Sequence, residues 1–172
     1  VVDEPDQNRK VHIQPIPRIG GIAIAIAYVL AFYLAEPYNG AGVVSRELSL
    51  VAKILPSAAL IFLTGLLDDF IGLKPWQKLI GQIIAACLAW WAGVQMVEIA
   101  GYNVPEPWEF LLTIGWLLIC TNAFNLVDGL DGLAAGVGLF ATLTIFASAA
   151  IGDNQPLMFA TLPLAGCLLG FL

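Results

Sequence analysis

Four polar side chains recur at three-residue intervals in a short stretch between two apolar runs. They are Asn122, Asn125, Asp128 and Asp131. Unsolvated amides and carboxylates at the edge of a bilayer are costly, so their presence there indicates a functional site. Three residues turn an ideal α-helix by about 300°, so the four do not share one helical face. A broken or 3₁₀-like segment near Gly129 and Gly132 would align them, and an ordinary polar turn is the alternative.

Two adjacent carboxylates, Asp68 and Asp69, end an earlier apolar run. Pro75 suits the first position of a helix, which makes Lys78 an early helical residue. A cation there opposes the helix dipole and therefore indicates a nearby anion. Adjacent carboxylates repel each other unless a cation neutralises them, and oxygen ligands without a cysteine or histidine cluster favour Mg²⁺ or Mn²⁺ over zinc. The alternative is a solvated helix end whose acids pair locally with Lys74 or Lys78.

A basic, proline-containing segment precedes the first apolar run. Its candidate substrate-binding residues are Arg9, Lys10, His12 and Arg18. The three cations could bind phosphate, with Gly20 and Gly21 admitting close backbone approach. The histidine could be a general acid, a ligand or a polar loop residue. The alternative for the whole segment is a positively charged anchor beside a membrane span.

The elements that must position these residues are membrane helices. Of the 172 residues, 59% are hydrophobic and 12% are charged, and the mean hydropathy is +0.86, which exceeds what a soluble core needs. Most of the apolar runs approach the ~20 residues that span a bilayer. The runs are 20–34, 48–67, 79–97, 108–124, 133–151 and 157 onward. Continuous rather than alternating hydrophobicity indicates helices and not a barrel.

We therefore predict an all-α fold, a polytopic transmembrane helix bundle of six helices. The prediction places residues 1–172 in a single membrane domain. Because the sequence opens without a methionine and stops inside an apolar run, we expect it to be a fragment of a larger bundle.

Positive charges in the loops predict the orientation. If the spans alternate, segments 1–18, 68–78 and 122–132 share one face, and that face carries most of the lysines and arginines. The positive-inside tendency places it in the cytoplasm. The three motifs then form one site with carboxylates, cations and amides but no activated serine or cysteine. Such a set suits metal-assisted phosphoryl transfer, in which positioning and charge neutralisation do most of the work.

In this order and spacing, the three motifs resemble the polyprenyl-phosphate N-acetylhexosamine-1-phosphate transferases, glycosyltransferase family 4. Residues 3–10 resemble the branch that transfers N-acetylglucosamine-1-phosphate to undecaprenyl phosphate more than the sister branch, which transfers phospho-N-acetylmuramoyl-pentapeptide. The resemblance implies a multi-pass enzyme of the bacterial inner membrane, with a cytoplasmic active site, that acts in cell-envelope polysaccharide synthesis. The family's first helix, its C-terminal helices and its His-rich loop would then lie outside this sequence.

The implied reaction joins a polyprenyl phosphate to the sugar-linked phosphorus of a UDP-N-acetylhexosamine and releases UMP. Mg²⁺, or alternatively Mn²⁺, would offset the charge of the diphosphate. The expected partners are these two substrates and the lipid bilayer; no nucleic acid is expected, and a homodimer is left open.

The resemblance also implies roles for single residues. Asp128 matches the family's metal ligand, and Asp68 and Asp69 match an essential acidic pair. We favour metal binding or positioning for this pair, because a phosphate monoester is largely ionised near neutral pH and hardly needs a strong base. Lys78 would grip the diphosphate. Asn122, Asn125 and Asp131 are expected to orient the nucleotide or to support the metal site. The predicted catalytic residues are the four aspartates Asp68, Asp69, Asp128 and Asp131.

Two other classes of protein compete with this interpretation. An intramembrane prenyltransferase also uses aspartates and Mg²⁺, but it would need a third acid near Asp68 and Asp69. An ion-coupled transporter would carry its acids deep within the spans. The clustering of the acids at one predicted face, beside cations suited to phosphate, favours the transferase.

Overall fold

The structure is a computed structural model that describes residues 2–3, 16–17, 20–35, 40–128 and 132–172. Within these ranges the chain forms six helices: α1 Gly20–Ala35, α2 Gly40–Ile71, α3 Pro75–Trp91, α4 Glu106–Val127, α5 Leu133–Ile151 and α6 Gln155–Phe171. Four strands of two residues each form two antiparallel pairs: β1 Val2–Asp3 with β2 Ile16–Pro17, and β3 Glu98–Ile99 with β4 Tyr102–Asn103. The predicted all-α fold is confirmed, and each predicted apolar run overlaps one of the helices.

Three helical segments are long and apolar enough to cross a membrane: Ala52–Ile71, Glu106–Val127 and Leu133–Ile151. Their surfaces expose large apolar side chains, such as Trp116 at 56% and Phe140 at 75%. The buried apolar residues, by contrast, are small with one exception, Leu168: the others are Ala85, Ala86, Ala89, Ala149 and Ala165. Large residues facing outward and small residues at helix contacts are typical of proteins that pack within lipid. The protein is therefore a membrane protein.

Helix α3 ends earlier than its apolar run, at Trp91 rather than near Val97. Gly93 adopts a φ of +101°, and the amides of Gly93 and Val94 donate to the carbonyls of Trp90 and Ala89, both at 3.0 Å. This is the Schellman arrangement, which terminates a helix at a glycine. The hydrophobic run alone did not predict this stop.

A short hairpin follows this helix end, and it too was absent from the prediction. Strands β3 and β4 are joined by Ala100 and Gly101, whose φ angles are +53° and +86°. Two positive φ values in a two-residue loop fit the twist of an antiparallel hairpin. Strands of two residues leave no period that a sequence pattern could reveal.

The chain divides into two compact units. The first comprises residues 1–51 and 127–172, and the second comprises residues 52–126. In the first unit α6 packs against both α5 and α1. The Tyr28 hydroxyl on α1 donates to the Ala160 carbonyl at 3.0 Å, and a Cβ added at Gly20 would lie 2.9 Å from the Phe171 ring. Close backbone approach and one hydroxyl bond therefore join α1 to α6.

The second unit holds α2, α3 and α4 together through small residues and hydroxyl groups. The Ser57 hydroxyl on α2 donates to the Ala85 carbonyl on α3 at 2.7 Å. A Cβ added at Gly81 would lie 2.6 Å from the Thr64 hydroxyl oxygen. On the other side of α3, Trp90 meets Phe110 of α4 edge to face, with ring centroids 5.2 Å apart. These contacts fix the helix that carries Lys78.

Candidate active site

Asp68 links the end of α2 to the start of α3. Gly72, with a φ of +63°, ends α2, and its amide donates to the Asp68 carbonyl at 2.9 Å. The next amide, that of Leu73, donates to Oδ1 of the Asp68 side chain at 3.1 Å. α3 then begins at Pro75, as its proline predicted. This short, fixed connection places the first turn of α3 beside the last turn of α2.

Lys78 lies in that first turn and contacts both neighbouring helices. Its Nζ donates to Oδ2 of Asp68 at 2.7 Å and to Oδ1 of Asn125, on α4, at 2.8 Å. The Lys78 and Asp68 side chains are only 18% and 28% exposed, so this ion pair is better shielded from solvent than a surface pair. The anion predicted near Lys78 is therefore Asp68, and the local pairing given as an alternative does occur.

One turn further along α3, Gln82 contacts Asn122 of α4. The Asn122 Nδ2 donates to Gln82 Oε1 at 2.9 Å, and Gln82 Nε2 donates to Asn122 Oδ1 at 3.4 Å. Lys78 and Gln82 are four residues apart and share one face of α3. Two polar contacts therefore connect α3 to α4, and they involve both predicted asparagines.

The asparagines lie in a regular α-helix, which differs from the expected 3₁₀-like alignment. α4 continues through Asn122 and Asn125 to Val127, and Asp128 follows in a turn. Gly132, with a φ of +70°, precedes α5. The break in the helix therefore comes after the asparagines, at the glycine-containing segment, and the two amides reach α3 without any change of helix type.

The remaining predicted residues are either exposed at helix ends or lie outside the described residues. Asp69 is an exposed residue at the end of α2, and Asp128 is exposed just after α4. Asp69 belongs to the second unit and Asp128 to the first. The other candidates lie outside the described residues: Arg9, Lys10, His12, Arg18 and Asp131. The structure thus brings together Asp68, Lys78, Asn122 and Asn125.

The comparison with protein families decides what kind of protein carries this arrangement. The model of glycosyl transferase family 4 matches residues 51–172, which include the acidic pair, the lysine and the asparagine motif. The chain belongs to glycosyl transferase family 4. The family predicted from the three motifs is confirmed, and no solved structure gives a significant match to the chain.

Relatives of this family 4 chain include members of both branches. A decaprenyl-phosphate N-acetylglucosaminephosphotransferase of Mycobacterium tuberculosis is 35% identical over 96% of this chain and 45% of its own length. An undecaprenyl-phosphate alpha-N-acetylglucosaminyl 1-phosphate transferase of Thermotoga maritima is 33% identical over 84% of the chain and 42% of its own length. A phospho-N-acetylmuramoyl-pentapeptide-transferase of Pelotomaculum thermopropionicum is 31% identical over 91% of this chain and 52% of its own length. The chain spans about half the length of these relatives.

The family 4 site contains one residue that the sequence motifs did not single out, Gln82. Its side chain is 3% exposed, although it lies in an otherwise apolar part of α3. Its signal in the sequence was a lone amide four residues after Lys78, which places both on one helical face. Such an amide could equally have faced water at the helix surface, and only the contact with Asn122 distinguishes the two cases.

Proposed function

We propose that the protein transfers an N-acetylhexosamine-1-phosphate group from a UDP-sugar to a polyprenyl phosphate and releases UMP. The observation that carries the proposal is Lys78, an ammonium group fixed between Asp68 and Asn125 at 2.7 and 2.8 Å. Within the described residues two of its three N–H donors are occupied, and the third is left for an anion. Family membership and the printed names of the relatives support a nucleotide-sugar donor and a lipid phosphate acceptor.

In this reaction an oxygen of the lipid phosphate forms a bond to the sugar-linked phosphorus, and the bond from that phosphorus to UMP breaks. The attacking phosphate is already largely ionised near neutral pH, so no side chain has to remove a proton from it. The residues of the chain instead orient the diphosphate and balance its charge. We assign Lys78 to the diphosphate oxygens and Asp68 to holding Lys78.

The carboxylates suit a hard divalent cation, Mg²⁺ or alternatively Mn²⁺, because all of their donor atoms are oxygens. Both Asp68 oxygens accept from nitrogen donors, at 3.1 and 2.7 Å, which makes Asp68 a weaker candidate for a metal ligand. We propose Asp128, which matches the family's metal ligand, and Asp69, its counterpart in the acidic pair, as the stronger candidates. The bound ion would offset the charge of the diphosphate. Among the described residues no three acidic, cysteine or histidine side chains form a group, and Asp131 lies outside these residues.

N-acetylglucosamine is the favoured sugar, because the relatives from Mycobacterium tuberculosis and Thermotoga maritima are named for it. Phospho-N-acetylmuramoyl-pentapeptide is the alternative cargo, favoured by the relative from Pelotomaculum thermopropionicum. We place the protein in a bacterial inner membrane with its site on the cytoplasmic face. The lysines of the connection between α2 and α3 support this orientation.

An ion-coupled transporter is less well supported by the positions of the acids. Asp68 and Asp69 lie in the last turn of α2, and Asp128 follows the end of α4. A transporter would be expected to carry such groups near the middle of its spans. Carboxylates at helix ends instead suit a water-soluble nucleotide sugar that meets a lipid at the membrane surface.

The test uses the complete protein, purified in detergent or reconstituted in vesicles. It is incubated with Mg²⁺, undecaprenyl phosphate and either radiolabelled UDP-N-acetylglucosamine or radiolabelled UDP-N-acetylmuramoyl-pentapeptide. We expect a lipid-linked labelled sugar and free UMP from the first donor. Product from the second donor alone would select the alternative cargo, and no lipid-linked product from any UDP-hexosamine would contradict the proposal.

A further inference from the structure

Gln82 is, with Thr113, one of the two most deeply buried polar residues described in the second unit. At 3% exposure it shares the buried face of α3 with Ala85, Ala86 and Ala89. A buried amide is costly unless its polar atoms find partners. The only hydrogen bonds made by the Gln82 side chain within the described residues are those with Asn122. A purely structural polar contact could be formed anywhere along these helices, but this one lies a single turn from the Lys78 ion pair.

The contacts of Asn122 determine which way its amide faces. Its Nδ2 lies 2.8 Å from the Leu118 carbonyl oxygen and 2.9 Å from Gln82 Oε1. A backbone carbonyl only accepts hydrogen bonds, so the atom beside it must be the amide nitrogen. Both hydrogens of that nitrogen are thereby used. Among the described residues the Asn122 Oδ1 has only the long 3.4 Å contact with Gln82 Nε2, which leaves a lone pair for another donor.

Asn125 has the opposite polarity. Its Oδ1 accepts from Lys78, and since an ammonium group only donates, that atom must be the oxygen. The amide nitrogen of Asn125 then has both of its donors left, as far as the described part of the chain goes. The two exposed asparagines, one turn apart on α4, thus offer different groups: Asn122 an acceptor and Asn125 a donor.

We propose that Gln82 is a positioning residue that holds the exposed amide of Asn122 against α3, so that the remaining lone pair of Asn122 Oδ1 accepts a hydrogen bond from the nucleotide sugar. This inference rests on the proposed function and names a further determinant of its donor site. An ionised lipid phosphate has no N–H group and no free hydroxyl to donate. A UDP-N-acetylhexosamine carries donors on its uracil ring, its ribose and its sugar. The acceptor on Asn122 therefore matches the nucleotide sugar and not the lipid.

The test measures the dissociation constant of UDP-N-acetylglucosamine by calorimetry, using the complete protein and its variants Gln82→Met, Asn122→Ala and the double variant. We expect Gln82→Met to weaken binding about tenfold, the scale of one lost hydrogen bond, and to leave KM for the lipid acceptor unchanged. Because Gln82 acts through Asn122, the double variant should bind no more weakly than Asn122→Ala. Equal weakening by Gln82→Met in both backgrounds would overturn the inference.

The polarity of Asn122 is tested with three donor analogues, each lacking one hydrogen-bond donor: at uracil N3, at the ribose 2′-hydroxyl or at the sugar amide. One of them should bind the parent about tenfold more weakly than UDP-N-acetylglucosamine and show no such loss with Asn122→Ala. If every analogue gives the same ratio in both proteins, the acceptor assignment is wrong.

Gln95→Leu is the matched control, because Gln95 is an exposed glutamine beyond the far end of α3, and its replacement should leave binding unchanged. If the parent binds the nucleotide sugar but transfers nothing, only the proposed function is contradicted. The variant series and the analogue series would still test the role of Gln82. A parent protein that does not bind the nucleotide sugar would contradict both.

Discussion

Lys78 is fixed in place before any substrate arrives. Its two hydrogen bonds, to Asp68 and Asn125, hold the ammonium group between α2 and α4. A free lysine side chain loses about 1.5–2 kcal/mol of rotamer entropy when it is immobilised. In this protein the side chain loses that entropy when the chain folds, so substrate binding does not have to immobilise it. The ammonium group is already aligned before the substrate binds.

Replacing Lys78 with methionine should abolish most transfer. The variant removes the cation and leaves Asp68 partly buried without its partner, so we expect kcat/KM for the UDP-sugar to fall about 100-fold, the upper range for hydrogen bonds to charged groups. Lys78→Arg should recover part of the activity. Lys74→Met is the control, because Lys74 is an exposed lysine in the same connection. Similar activities for Lys78→Met and Lys74→Met would rule out the proposed role of Lys78.

Asp68→Asn tests whether Asp68 positions Lys78 or binds the metal. An amide oxygen still accepts a hydrogen bond but lacks the charge, so we expect about a tenfold loss of kcat/KM. If Asp68 acts through Lys78, the Mg²⁺ concentration that gives half-maximal activity should stay the same. A large rise in that concentration would show instead that Asp68 is a metal ligand.

The sequence revealed the charged part of the site better than its amide part. Pro75 fixed the start of α3 and so the position of Lys78, and the pairing of Lys78 with Asp68 followed from charge. Gln82 was missed because burial of an amide depends on which face of α3 meets α4. The face of α3 that meets α4 is determined by packing between the helices. The spacing of apolar residues in the sequence does not reveal it.

At the scale of helices, the position of Lys78 depends on the close approach of α2 and α3. Thr64 of α2 lies against Gly81 of α3. The Cβ of any larger residue at position 81 would lie 2.6 Å from the Thr64 hydroxyl oxygen. Small residues at such a crossing let two helices pack closely within lipid.

Gly81→Ala should therefore destabilise the protein by about 1–3 kcal/mol, the usual cost of overpacking, as measured by unfolding in detergent. Adding Thr64→Ala should restore part of the loss, because it removes the two side-chain atoms nearest the new methyl group. Gly115→Ala is the control: a Cβ at Gly115 meets no atom within 4 Å. A Gly81→Ala variant as stable as Gly115→Ala would show that α2 and α3 are not packed this closely.

The helices themselves were predictable because each apolar run approaches the length of a span. Their ends were less so. α2 begins at Gly40, eight residues before its apolar run, and α3 ends at Trp91, within its run, because Gly93 terminates it. Helix ends depend on capping by single residues, whereas hydrophobicity marks only the part of a helix that lipid or packing covers.

At the scale of the whole molecule, the proposed orientation can be tested by labelling. The predicted alternation of the apolar runs across the membrane places the two connections at the ends of α3 on opposite sides. In a background lacking the native cysteines, Lys74→Cys should react with an impermeant maleimide only from the cytoplasmic side. Tyr102→Cys, in the hairpin, should react only from the outside. The reverse pattern would place the site on the outer face.

The proposed roles of Asp69 and Asp128 are tested most directly by the Mg²⁺ dependence of transfer in the complete protein. We compare the parent with Asp69→Asn and Asp128→Asn, using Lys74→Met as the unaffected control. If a carboxylate is a ligand of the ion that would offset the charge of the diphosphate, its variant should need about tenfold or more Mg²⁺ for half-maximal transfer, and the loss should shrink at high Mg²⁺. An Asp128→Asn protein with the parent's rate at limiting Mg²⁺ would contradict the assignment of Asp128 as a metal ligand.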